Sequence, residues 1–535
     1  MSLGRNEVVD LQPLVKEADV VIVGAGVVGC AIARELSRYD LEVVLVDRES
    51  DVGSGASKAN SAIVHTGFDA HPGTLESQLV VKANWLFDDL ARELDVPFKR
   101  VGALLVAVTE EEKEKLDQLK ATGEANGVHD LKIIGRDELL AWEPAVNPSA
   151  LGALWIPRES LTCPFTLTIA YAENAIANGV KLLLETEVEE IMVARGEVRG
   201  VRTNRGTINC RWVINAGGLY SDRLAQQAGL ADFRVTPRKG EFWVLDKAVR
   251  LVEHIILPVP TPISKGILVT PTIDGNTLMG PTADNIEDKE ERAVTAAGLA
   301  KVLEGARKLV PGIHPSQAIA QFAGVRAAGN APDYLVGPVA NLKGFINACN
   351  IRSTGVTSSP AVAQLVAEVL AEQGVSLQPK PSFNPYRQGI QRFAELSWSE
   401  RAALINKDPA YGRVVCRCET VTEAEVVAAL HRNPPARTLD GIKRRTRAGM
   451  GRCQGGFCTP RVVQIMAREM GVAPTSLTKK GSGSELFVGA SKCLLTEQPK
   501  KETIGKATPA SAGSPLSDYH SAHYRQGTLA SKEVG

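Results

Sequence analysis

Apolar and polar positions in this chain follow two rhythms, and the changes between them mark its elements. Residues 20–23 and 43–46 are uninterrupted apolar runs, the pattern of strands buried on both faces. Between them, 30–39 has helical character, with Ile32, Leu36 and Tyr39 close to one face. Residues 83–95 and 110–126 read as amphipathic helices separated by the strand-like GALLVAV, and 164–178 as a helix ending at Gly179. From 181 to 218 apolar and polar residues alternate between turn signals, predicting a small β-meander that returns to a buried strand at 212–215. Residues 235–283 are strand-rich, 293–309 is helical and 345–349 is a further apolar strand. After it, Ser359 is placed to act as N-cap, Pro360 as first helical residue and Gly374 as stop. A Pro-containing connector with a short helical part follows over 376–412, then a compact Cys- and Arg-rich unit over 413–471. From 472 to 535 the composition turns to Gly, Ser, Lys, Thr and Pro and predicts a largely disordered tail, with 485–495 as an island able to dock. No internal repeat is visible.

The first of these transitions carries chemistry. Gly24, Gly26 and Gly29 stand in the spacing G-x-G-x-x-G between strand and helix, and the second strand ends at Asp47, 23 residues after Gly24. In a dinucleotide site the three glycines permit a tight turn, close approach to a pyrophosphate and close packing of helix on strand. The helix N-terminus offers free N–H groups to the diphosphate, and an acid at Asp47 accepts from ribose hydroxyls. The motif alone does not distinguish FAD from NAD.

Composition narrows the class. The 535 residues make about three to four domain equivalents. Lys+Arg and Asp+Glu both total 61, so net charge gives no pointer to nucleic acid or an anionic membrane. No stretch of 18 apolar residues occurs, and residues 1–19 carry Glu7, Asp10 and Glu17 without an apolar core, which is not a signal peptide. The expected location is cytoplasmic. Four of the nine cysteines fall between 416 and 458, and in a reducing compartment such clustering points to metal rather than disulfides.

Two later segments resemble returns of the chain to the same ligand: WVINAGGLYSDRLA at 212–225 and GFINACNIRSTGVTSSPA at 344–361. A nicotinamide enzyme needs mainly the first fingerprint, whereas a long FAD molecule needs such returns. With these residues, 18–375 resembles the FAD-dependent oxidoreductases of the glutathione-reductase-two and D-amino-acid-oxidase superfamily. RKGEFWVLDK, KGILVTPTIDGNTLMGPTAD and FAGVRAAG resemble the branch that holds glycerol-3-phosphate and L-2-hydroxyglutarate dehydrogenases. The resemblance implies an α/β architecture. A glutathione-reductase-like Rossmann domain would bind FAD through parts near 18–80, 160–230 and 320–375, with an interleaved α+β substrate domain near 81–159 and 231–319. It implies cofactor contacts at Gly24, Gly26, Gly29, Asp47, Ser57, Gly217, Gly355, Val356 and Thr357. The reaction it implies oxidises a secondary alcohol with the flavin as hydride acceptor, which needs a proton acceptor and a cation for an anionic substrate. His65, in VHTGF, matches the family His-x-Gly element and suits the base; a loop histidine that positions or covalently anchors the flavin is the alternative. Arg326, in AGVRAAG, matches the family arginine that grips substrate phosphate or carboxylate. Arg352, Lys239 and Tyr334 are secondary candidates, and Arg352 stands where many relatives carry an acid.

Cys416-x-Cys418, 34 intervening residues and Cys453-x₄-Cys458 supply four thiolates able to hold zinc or a 2Fe–2S cluster. Thr422 and Glu425 have capping-box spacing, and Thr459-Pro460 opens a helix that stops at Gly471. VCRCETVTEAEV and GRCQGGFC resemble the small helical bacterioferritin-associated-ferredoxin-like 2Fe–2S domain, the module attached to the large subunit of anaerobic glycerol-3-phosphate dehydrogenase. Residues 413–470 hold eleven Lys/Arg against five acids, an excess of six. That charge can offset the cluster's own, steer an acidic electron-transfer partner, or form a solvated face.

The expectation is therefore a flavo-iron–sulfur dehydrogenase passing electrons from substrate to FAD, to the cluster and on to a partner protein or subunit. Membrane attachment, if any, would run through that partner. The leading substrate is sn-glycerol 3-phosphate. A 2-hydroxy acid such as L-2-hydroxyglutarate is the runner-up, favoured by HTGFDAHPGTLESQL. Amine or amino-acid dehydrogenation and a non-catalytic electron relay are the further alternatives, since fold does not fix function.

Overall fold

The computed structural model of the protein describes residues 13–261 and 265–487. The expected apolar strands form the middle of a parallel sheet. Glu17–Val23 lies between Val43–Val46 and Gly206–Asn215, in a register that aligns Val21 with Val44 and with Val213. Lys181–Leu183 extends the sheet on one side and Leu342–Cys349 on the other. The helices Val27–Leu36, Leu75–Leu94, Pro164–Ala177 and Gly355–Glu372 cover one face, around Ile22, Ile32, Phe87, Tyr171 and Val366. The other face is closed by the predicted meander, with Val21, Val213, Ile191 and Val201 in its core. Parallel strands buried on both sides explain why their sequences show no polar alternation.

A second, nine-stranded sheet carries the other large core, around Leu104, Ile256, Val269, Met279 and Leu309. Its longest pairing is antiparallel, between Val235–Leu245 and Ala318–Gly329, and sets Arg238 opposite Arg326. That pairing places 320–329 in the second sheet, not in the nucleotide-binding part as expected. Conversely, the helix over 83–95 begins earlier, at Leu75 with Thr74 as N-cap, and its Leu79, Ala83 and Phe87 pack in the first core.

One helix start departs from the sequence reading. Pro360 lies inside the helix Gly355–Glu372, whose N-cap is Thr354 rather than Ser359. Proline has no N–H to give the carbonyl four residues back. Here the Ser359 hydroxyl donates to the Val356 carbonyl at 3.1 Å in its place, so the helix continues through the proline.

The cysteine-rich unit folds as expected around Val426, Ile442, Val463 and Met466. The Thr422–Glu425 capping box forms, and Thr459–Met470 stops at Gly471 in the left-handed region. Residues 472–487 contradict the expected disorder: Leu477 is buried, Thr478 bridges Glu485, and the Ser50 hydroxyl donates to the Lys480 carbonyl. The remainder of the expected tail, including most of the 485–495 island, lies outside the described residues.

Candidate functional site

The three glycines have separate reasons to be glycine. Gly24 has φ +107°, and a Cβ there would stand 2.4 Å from the Ala216 carbonyl oxygen; one at Gly29 would stand 1.9 Å from that of Gly24. Strand, turn and helix are thus packed backbone to backbone. Gly26 is the helix N-cap and offers no side-chain cap; the Ser57 hydroxyl, arriving from a distant loop, accepts the Val27 N–H at 2.9 Å instead. Asp47 accepts from the Ala25 N–H at 2.6 Å and the Glu49 N–H at 2.9 Å. Burial outweighs these two bonds and pushes its carboxyl up to about 6.

Gly24, Gly26, Asp47 and Ser57 line a cleft of about 260 Å³ that also takes in Gly217, Arg326, Arg352, Gly355 and Val356, while Gly29 packs behind it. The sequence segments 212–225 and 344–361 therefore do return to the fingerprint. Sequence reasoning missed their shared anchor: Asn215 donates to the Asn347 side chain at 2.9 Å and to the Ser221 carbonyl at 2.8 Å, and accepts from the Gly217 N–H. The two asparagines stand opposite each other at the ends of adjacent parallel strands. An Asn at the end of each apolar run is the signal that could have found them.

Thr357 is wholly buried and, unlike Val356, does not line the cleft; its hydroxyl accepts the His65 backbone N–H at 2.9 Å. His65 does not line the cleft; it follows the cleft-lining Ala59, Asn60 and Ser61 by four residues in the chain. Its Nδ1 is 3.0 Å from Oε2 of Glu159, a fully buried acid whose other oxygen accepts from the Thr66 N–H and hydroxyl. Asn84 donates to the His65 carbonyl. A carboxylate at Nδ1 fixes the tautomer that leaves Nε2 basic. Glu159 has no signature in the sequence because its partner lies 94 residues away. Near the same histidine, Asp69 pairs with Lys265 at 2.6 Å; burial pushes the Asp69 carboxyl up, but Lys265 holds it below its usual range.

Arg326 reaches the cleft from the second sheet. Among the described residues its guanidinium makes one hydrogen bond, to the Thr282 carbonyl at 3.4 Å, and has no carboxylate partner. Burial, with the charge of nearby Arg238, lowers its pKa. Gly324, two residues before Arg326, lets that strand approach the cleft-lining loop at Ala59, since a Cβ there would stand 2.1 Å from the Ala59 carbonyl oxygen. The secondary candidates are accounted for otherwise. Lys239 is buried, donates to the Ala293 carbonyl and sits 3.6 Å from Glu241. Tyr334 is buried against Thr354 and Ser358. Arg352 lines the cleft but pairs with Glu76 at 3.0 Å, while its Nε is buried without a hydrogen-bond partner.

The four clustered thiols stand as two pairs. Cys418 and Cys453 have their sulfurs 3.6 Å apart, and Cys416 pairs with Cys458. Among the described residues, no three His, Cys, Asp or Glu side chains converge on a single metal position. Two pairs fit a two-iron cluster, in which each iron takes two thiolates, better than one tetrahedral ion. The hydrogen bond with Cys458 draws the Cys416 thiol below the usual thiol range.

Comparison with known proteins finds a family match over each of the two parts of the chain that carry these residues. Residues 19–369 match the model of the FAD dependent oxidoreductase family DAO, and 414–468 that of the BFD-like [2Fe-2S] binding domain. The chain is 44% identical over 475 residues to a glycerol 3-phosphate dehydrogenase of Caloramator mitchellensis, covering 89% of this chain and 99% of the relative. It is 27% identical to one of the subunits of the anaerobic glycerol-3-phosphate dehydrogenase of Escherichia coli, covering 85% and 88% of the two chains. The FAD-bound, dithionite-reduced L-alpha-glycerophosphate oxidase of Mycoplasma pneumoniae superposes with a TM-score of 0.66 at 32% identity, covering 70% and 98%.

Proposed function

This chain belongs to the DAO family of FAD-dependent oxidoreductases and carries a BFD-like [2Fe-2S] domain, and from that premise we propose that it oxidises sn-glycerol 3-phosphate to dihydroxyacetone phosphate and passes the electrons through the cluster to a partner protein. The observation that carries the substrate reading is Arg326, a half-buried guanidinium without a carboxylate partner among the described residues, on the cleft that contains the fingerprint. Such a cation is satisfied by an anionic ligand. The relatives' names supply the choice of phosphate: dehydrogenases and an oxidase of glycerol 3-phosphate.

The cradle of Gly24, Gly26 and Gly29, with Asp47, Ser57, Gly217, Gly355 and Val356 around the cleft, fits FAD. When bound, FAD supplies the acceptor for the hydride leaving the carbinol carbon. Arg326 holds the substrate phosphate, bidentately as a guanidinium can. His65, oriented by Glu159 and by Thr357, takes the hydroxyl proton at Nε2, so the alcohol loses one proton and one hydride to become the ketone. Thr357 then serves through His65 rather than by touching the nucleotide. Cys416, Cys418, Cys453 and Cys458 would hold the cluster. Among the described residues no helix is long and apolar enough to cross a membrane.

The test is anaerobic bleaching of the flavin by glycerol 3-phosphate, L-2-hydroxyglutarate and simple amino acids in parallel. Glycerol 3-phosphate should bleach it fastest. Arg326→Ala should raise the KM by about a hundredfold or more, on the several-kcal/mol scale of an unpaired buried charge, and Arg326→Lys should restore it only in part. Bleaching by the 2-hydroxy acid alone would overturn the substrate, and an unchanged KM in Arg326→Ala would move the anion site elsewhere.

A further inference from the structure

Nine of the eleven cations of the cysteine-rich unit, all but Arg437 and Lys443, fall into two groups. Arg432, Arg444, Arg445, Arg447 and Arg452 pair with Glu173, Asp51, Asp274 and Asp246 of the flavin-binding and substrate parts. The buried and part-buried Arg432, Arg444, Arg445 and Arg447 hold the unit in place, while Arg452 is exposed. Arg413, Arg461 and Arg468 all converge on one buried carboxylate, Glu423, and each remains about half exposed. Exposed Arg417, between the first two cysteines, has no ion-pair partner among the described residues. That group therefore carries a net positive charge.

Phe457, 88% exposed, is the most exposed large apolar side chain among the described residues; it stands four residues before Arg461, and Cys458 beside it pairs with Cys416, the neighbour of Arg417. It directly precedes Cys458, and its backbone N–H donates to the Cys453 sulfur. Its ring gains nothing from burial within the chain, while its backbone is tied to a cluster ligand. Cys418 and Cys453 are partly exposed, whereas Cys416 and Cys458 are buried. The cluster's open edge thus has one projecting aromatic ring, the residue type that anchors interfaces, with unspent arginine charge beside it.

We propose that Phe457 and the arginines Arg413, Arg417 and Arg461 form the docking surface for the electron acceptor, a one-electron carrier protein with an acidic surface around its own redox centre and an apolar recess for the Phe457 ring. The arginines would steer the encounter and the ring would hold it. The proposal rests on electron exit through the cluster, and each docking event carries one electron from the reduced cluster to the oxidised carrier.

The test uses the full holoenzyme and a plant-type 2Fe–2S ferredoxin, a strongly acidic one-electron carrier, as the probe, with basic cytochrome c as the control. Binding kinetics are read on a sensor surface over a salt series. Wild type should bind the ferredoxin with a steep salt dependence and bind cytochrome c far more weakly. Phe457→Ala should raise the dissociation rate by about tenfold or more. Arg417→Glu should lower the association rate and flatten the salt dependence. Both variants should keep wild-type iron, sulfide and substrate-driven flavin bleaching, which separates this proposal from the functional reading beneath it. No binding by wild type, equal binding of cytochrome c, or variants that bind like wild type would overturn it. So would a Phe457→Ala effect confined to self-association, which would make the surface a contact between copies of this chain.

Discussion

Asp51 offers the sharpest test of how the cysteine-rich unit is held. It is 2% exposed, and its two oxygens accept from Arg444 at 2.8 Å and from Arg445 at 2.7 and 3.0 Å. Both guanidiniums are themselves almost wholly buried. Arg444 also donates to the Val52 carbonyl at 2.7 Å. Removing the acid would leave two buried positive charges facing each other, which costs about 3–5 kcal/mol, against about 0–1 kcal/mol for an exposed pair. Asp51→Ala should therefore weaken docking of the unit by about a hundredfold or more. The effect should reach the cleft, because the loop bearing Asp51 also supplies Asp47, Ser54 and Ser57. In urea titrations followed separately by flavin and cluster absorption, the variant's cluster transition should move to lower urea and precede the flavin transition. Burial pushes the Asp51 carboxyl up, but Arg445 and Arg444 more than compensate, so its folded pKa lies below the ordinary value. The stabilisation is then full above the unfolded carboxylate's pKa of about 4 and is lost only as pH falls through the lower folded value. Between pH 6 and 8 the wild-type stability should show no slope from this group. A cost below about 1 kcal/mol for Asp51→Ala would refute the buried-clamp reasoning, and replacing Asp51 and Arg445 together by apolar residues should recover part of the loss.

Two further outcomes follow from the site. Burial raises Asp47 to about 6, above its unfolded value, so in the nucleotide-free protein its ionisation costs stability above that pH and its protonation favours the fold below it. FAD binding through ribose hydroxyls needs the carboxylate, so FAD affinity by fluorescence titration should fall by up to tenfold per unit as pH drops below about 6, and Asp47→Asn should bind weakly with no such slope. Glu159→Leu should slow anaerobic flavin reduction at saturating substrate by about 10²-fold with little change in KM, the reverse of Arg326→Ala; equal effects on KM would show that Glu159 only supports the fold.

What the sequence reveals and what it hides separate by distance along the chain. The glycine fingerprint, the Thr422–Glu425 capping box and the Gly471 stop are legible because each is decided within a few residues by backbone sterics and local hydrogen bonds. The Pro360 helix start misleads for the same local reason: the rule that proline opens helices does not see a serine hydroxyl replacing the missing N–H. Glu159 under His65 and Asn215 against Asn347 are invisible, since an acid or amide in an apolar stretch shows no partner until the strands are in register. The charge count is the most instructive case. An excess of six in 413–470 is open to three readings, and counting cannot choose among them. The fold spends five arginines on acids scattered over 51–274, each a pairing with no local signature. That subtraction leaves six cations, Arg413, Arg417, Arg437, Lys443, Arg461 and Arg468, and of these Arg413, Arg417 and Arg461 lie within three residues of Cys416 or Cys458, close to Phe457 along the chain or through the Cys416–Cys458 pair. A partner surface is therefore read from the charge left over once folding has used the rest, and the docking experiment tests that remainder rather than the total.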